Sequence, residues 1–95
     1  MMFTPREIEY IIEALETYDV DPLFDTEEDQ HSIITSALAK LKSFTILTHF
    51  TQKELSLMAY AVLLLKNLSA DLGKPSKPLA VLFEKLVEYA DKNTN

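Results

Sequence analysis

The sequence predicts an all-α protein, a four-helix bundle built from two tandem, pseudo-repeated αα-hairpins. Three observations carry that expectation. The 95-residue chain has a single glycine, Gly73, too few for sheets joined by tight hairpins, whose turns call for positive φ. Its apolar residues recur at i, i+3, i+4 and i+7, the period of a helix with one buried face. It also says nearly the same thing twice: FTPREI at 3–8 returns as FTQKEL at 50–55.

The repeated phrase is a helix start. Thr4 is suited to cap, because its hydroxyl accepts from a free N–H of the first turn. Pro5 follows at the first helical position, where its missing N–H costs nothing. Glu7, three residues after the cap, completes a capping box, and Phe3 with Ile8 makes a hydrophobic staple. Phe50, Thr51, Glu54 and Leu55 supply the same parts again. A second correspondence follows. ITSALAKLKSF at 34–44 matches LAVLFEKLVEY at 79–89 through Ile34/Leu79, Leu38/Phe83, Lys40/Lys85, Leu41/Leu86 and Phe44/Tyr89. The chain therefore reads as one domain of two helix–loop–helix units, hairpin one over about 3–47 and hairpin two over about 48–92, with a tail at 93–95.

The elements follow in order. The first helix is expected at about 5–18, with Ile8, Ile11, Ile12, Leu15 and Tyr18 inward, and ends at DVDPLFD, where Pro22 cannot continue it. The second starts near Asp25 or Thr26 and runs to about Phe44 on the stripe Ile34, Ala37, Leu38, Leu41, Phe44. The third spans about 52–70, with Gly73 after its end. The fourth covers about 77–91, with Leu79, Leu82, Phe83, Leu86 and Ala90 inward. The third helix differs from the rest. From Leu55 to Leu68 it has almost no polar face, so it is either central or part of an interface. Leu57, Met58, Tyr60 and Leu64 are the candidates for an oligomer interface or a pocket.

Composition excludes several classes of function. No cysteine is present, so there is no disulfide framework and no thiolate chemistry. The apolar run from Leu57 to Leu65 falls far short of the roughly 20 residues of a membrane span. Met1 leads into a capped, charged helix start rather than a signal peptide, and the cytoplasm is the expected location. Glu28 and His31 stand at the i, i+3 spacing of carboxylate-bridged di-metal bundles, but those sites need a second such motif, and none exists here. His49 has no carboxylate or nucleophile near it in sequence. There is no GxSxG turn and no glycine-rich phosphate loop. Asp19, Asp21 and Asp25 lack the glycine and the terminal glutamate of a calcium loop. No enzyme activity, metal or cofactor is expected.

Charge is distributed unevenly. Between Glu7 and Asp29 the chain carries ten acids and no Lys or Arg, whereas the remainder from Gln30 is mildly basic, and the net charge is −6. Direct nucleic acid binding is not expected, since the nine basic residues are scattered and Arg6 is the one arginine. Glu9, Glu13 and Glu16 share one face of the first helix at i, i+4 and i+7. With Glu27 and Glu28 they form the candidate surface for a basic protein partner; the plainer meaning is a solvated face. The functional expectation is a small acidic, non-enzymatic interaction or regulatory module that forms a homodimer. Two alternatives stand beside it. One is a binder of a nucleotide-like or apolar small molecule, with a pocket between the hairpins or subunits lined by Met58, Tyr60 and Phe83. The other is an acidic decoy that occupies a nucleic-acid-binding protein.

Overall fold

The computed structural model describes residues 2–20, 28–45 and 47–92. Among these residues all regular structure is helical: α1 (Pro5–Val20), α2 (Glu28–Lys42), α3 (Gln52–Asp71) and α4 (Lys77–Lys92). The first helix runs two residues further than the periodicity suggests, through Asp19 and Val20, because both precede the proline and neither prevents an N–H···O=C bond. The expected start of the second helix at Asp25 or Thr26, and the break at Pro22, lie outside the described residues. Phe44 stands beyond the end of α2 rather than inside it.

One core joins the four helices. Ile11 and Leu15 of α1, Ile34 of α2, Leu55, Met58 and Val62 of α3, and Leu82 and Leu86 of α4 are essentially inaccessible. Each such side chain contributes about 1.5–3 kcal/mol through burial. The helix with no polar face is the central one, since α3 packs against α1, α2 and α4. Its apolar girth is thereby largely covered within one chain. Tyr60 and Leu68 stay about half exposed.

The helix ends explain the glycine and the repeated phrase. After α3, the N–H of Gly73 donates to the carbonyl of Ala70 (3.1 Å) and that of Lys74 to Ser69 (2.8 Å), the paired bonds of a Schellman cap. Gly73 holds φ +74°, with open space where a Cβ would be, so backbone conformation rather than crowding selects glycine. At the start of α3, Thr51 Oγ1 accepts from the N–H of Glu54 (3.1 Å), and Glu54 Oε1 accepts from the N–H of Thr51 (2.8 Å). Thr4 and Glu7 repeat both bonds at the same distances. The residues before the caps, Phe3 and Phe50, are buried.

Each box carboxylate also reaches across the bundle. Lys85 of α4 donates to Glu7 Oε1 at 2.9 Å, and Lys40 of α2 donates to Glu54 Oε1 at 2.7 Å. The lysines lie over the phenylalanines that precede the caps, Lys85 at 5.4 Å from the centre of Phe3 and Lys40 at 5.8 Å from that of Phe50. Between them, Phe3 packs on Phe44, Phe50 and Tyr89, with ring centres 5.5–6.3 Å apart. Glu54 has a further donor, the hydroxyl of Ser36 at 3.0 Å. The matching position in the other half is Val81. Accordingly the Glu54 side chain is 4% exposed and that of Glu7 20%.

These contacts set both carboxyls below the ordinary glutamate range. Burial, the largest single influence, pushes each upward. For Glu54, the bonds from Lys40, the Thr51 N–H and Ser36 outweigh it. For Glu7, the Thr4 N–H, Lys85 and the Thr4 hydroxyl do so. A carboxyl depressed in the folded state stabilises the fold above its unfolded pKa, about 4.3. That contribution is lost as pH falls through the lower folded value. The thermal midpoint should thus stay level from pH 7 down to about 5 and fall below about 4. In Glu54→Gln the profile should start lower and be flatter. A wild-type midpoint as high at pH 3 as at pH 7 would contradict this assignment.

The difference in burial orders two substitutions. Glu54→Ala removes the box together with the bonds from Lys40 and Ser36 to a carboxylate that is itself buried, a loss of about 2 kcal/mol. Glu7→Ala, closer to water, should cost about 1 kcal/mol. Urea unfolding of the two variants gives the comparison, and equal losses would mean that the extra bond of Ser36 contributes nothing.

Candidate functional site

One surface the core leaves partly uncovered lies between α3 and α4. Ser56, Ala59, Tyr60 and Leu63 of α3 face Phe83, Val87, Ala90 and Asp91 of α4 across a groove of about 320 Å³. The spacing of the two helices produces it. On α3 the positions fall at i, i+3, i+4 and i+7, and on α4 at i, i+4, i+7 and i+8, so each helix offers one strip to the same side. Tyr60 is 47% exposed and Val87 37%. Asp91 is the charged residue among the eight. On the opposite flank of Tyr60 a larger, open groove of about 640 Å³ is lined by Tyr18, Ile33, Gln52, Lys53, Ser56 and Leu57. The rings of Tyr18 and Tyr60 meet edge to face at 5.9 Å. Burial, and to a lesser degree the Tyr60 phenol nearby, push the Tyr18 hydroxyl above the usual tyrosine pKa, so it stays protonated.

The four α3 candidates separate. Tyr60 lines both grooves and Leu57 lines the second. Met58 is fully buried in the core and lines neither, because it projects from the side of α3 that faces the other helices. Leu64 is half-buried against the core and also lines neither. Tyr60 and Phe83 do stand together, as two walls of the α3–α4 groove. Sequence reasoning passed over Val87. It sits at i+4 from Phe83, beside the inward stripe of Leu82 and Leu86, and that second apolar strip on α4 was the available signal.

The acidic surface is smaller than the charge run. Glu7 is taken up by Lys85, a countercharge from the far end of the chain. Glu9, Glu13 and Glu16 are exposed along α1. Glu27 and the side chain of Glu28 lie outside the described residues. Glu13 also walls a groove of about 350 Å³ with Tyr10, Leu68, Leu72 and Lys74, so the acidic face borders apolar surface. His31 and His49 are exposed. Among the described residues no group of three His, Cys, Asp or Glu is placed to hold a metal ion, and no helix is long and apolar enough to cross a membrane.

Comparison of the chain with models of known protein families, with curated proteins and with solved structures finds no match. The chemistry of these surfaces is therefore read from their geometry alone.

Like charges at i, i+4 and i, i+3 oppose a helix by about 0.2–0.5 kcal/mol a pair. Replacing Glu9, Glu13 and Glu16 together with glutamine should leave the fold intact and raise stability by about 0.5 kcal/mol. Urea unfolding measures this directly. A loss above about 1 kcal/mol would show that these acids hold α1 in place.

Proposed function

We propose that the chain is a non-enzymatic protein-interaction module of two tandem, pseudo-repeated hairpins, working in the cytoplasm as a homodimer. The observation that supports this most is the α3–α4 groove, where Tyr60 of one helix and Val87 of the other stay exposed beside the partly buried Leu63 and Phe83. A second copy suits it. Antiparallel pairing about a two-fold axis lays one Tyr60 strip on the other and puts the two Asp91 side chains at opposite ends, where they do not repel. The grooves are open along their length. An enclosed small molecule needs most of its surface covered, whereas a helix face laid into a groove does not.

A second reading rests on the groove beside Glu13. A basic amphipathic segment could seat apolar side chains on Leu68 and Leu72 while its cations face Glu9, Glu13 and Glu16. Such binding would weaken with salt, since exposed charges are screened over about 8 Å at physiological ionic strength.

Light scattering over a dilution series tests the homodimer. Wild type should move from dimer to monomer on dilution. Tyr60→Glu, which puts a charge at the centre of the strip, should remain monomeric with an unchanged circular dichroism spectrum. A wild-type chain that is monomeric at high micromolar concentration overturns the reading.

A further inference from the structure

The contacts between the two hairpins have the composition of an interface between two copies of one unit. Each half contributes a buried phenylalanine before a cap, a box glutamate, a lysine and an aromatic ring four residues after that lysine. Glu7 of the first half takes Lys85 of the second, and Glu54 of the second takes Lys40 of the first. The donors run both ways, which is the signature of a self-complementary, two-fold face. At its centre Phe3 meets Phe50 with ring centres 6.3 Å apart, one residue type from equivalent positions in the two halves.

We propose that this inter-hairpin face also joins separate copies of the chain, hairpin one of each closing on hairpin two of the other. The exchanged pair remakes every contact just described, because none depends on which copy supplies the lysine. What changes is the connector from α2 to α3. Its closed form is held by local bonds: the Thr45 N–H donates to Thr48 Oγ1 (2.9 Å), the Leu47 N–H to Thr45 Oγ1 (3.2 Å), and the Thr48 N–H to the Thr45 carbonyl (3.0 Å). Those groups are exposed, and Leu47 is 79% accessible, so opening the turn hands them to water. Within one chain the second hairpin is present at an effective concentration in the millimolar range. The closed monomer therefore dominates below that concentration, exchange is the minor outcome when chains refold together at high micromolar concentration, and it takes over when the connector is too short to close. The occupant of the face is a second copy of this chain, and the inference does not rest on the α3–α4 groove.

The lack of cysteine permits a direct test. Two full-length single-cysteine chains are prepared, Glu7→Cys and Lys85→Cys. They are mixed, unfolded in urea, refolded together at high micromolar concentration, and treated with a short bis-maleimide. The double variant fixes the reach of the reagent through its link within one chain. The mixture should yield a cross-linked species of twice the chain mass, which neither single variant gives alone. Deleting residues 47–49 should turn that species from minor to major. The product should persist when both chains also carry Tyr60→Glu, which separates exchange from pairing through the groove. Lys40→Cys with Glu54→Cys repeats the measurement on the other ion pair. No interchain product from either pair, with or without the shortened connector, overturns the inference, as does its disappearance with Tyr60→Glu.

Discussion

A single carboxylate oxygen in each half of the molecule carries two roles, and the arrangement of the bundle follows from that. Oε1 of Glu54 accepts the N–H that begins α3 and the ammonium of Lys40 from α2. Oε1 of Glu7 accepts the N–H of Thr4 and the ammonium of Lys85 from α4. Capping a helix start fixes the glutamate rotamer, and the fixed carboxylate then fixes which neighbouring helix lies beside it and in what register. Burying a charge would ordinarily be unfavourable. Here the desolvated group keeps a nearly full set of donors, and no buried side-chain polar atom among the described residues lacks a partner. The lysine ammonium groups also lie over phenylalanine rings, a cation–π contact that adds to each ion pair.

Much of this was legible in the sequence, and what was not has a physical reason. Thr4, Glu7, Thr51 and Glu54 announce their boxes because capping is a contact over three residues, readable from spacing alone. The inward stripes of α1 and α4 were readable for the same reason. Lys40 and Lys85 stood out as matching positions, yet nothing local linked them to Glu54 and Glu7, which lie 14 and 78 residues away. An ion pair across a bundle depends on helix packing, which periodicity does not specify. Glu7 was counted with the unopposed acids for that reason. Met58 shows the limit from the other side. In a helix apolar all round, sequence does not reveal which apolar residue faces in, and Met58 faces in while Tyr60 faces out. Phe83, expected inward, is only partly buried, and the exposed Val87 one turn further on was obscured by the stronger inward stripe beside it.

The central place of α3 also shapes how each half is held. Among the described residues, α3 and α4 pack together more extensively than α1 and α2 do. Hairpin one is thus held largely through its contacts with α3 and through the two ion pairs, and less through contacts of its own. Its first helix also carries Glu9, Glu13 and Glu16 on one exposed face, a local cost to helix formation. The half that repels itself is the half that leans on its neighbour.

That dependence constrains how such a chain can be assembled. A hairpin that packs more extensively on α3 than within itself depends on another hairpin to cover its inner face. The covering unit can be joined to it through the connector or can belong to a second molecule; the carboxylates, lysines and rings make the same bonds in either case. Hairpin two, with α3 at the centre of the core, supplies the shape that both arrangements share. The connector then decides between them. Among the described residues, its threonine turn contributes to the closed form without belonging to the face itself.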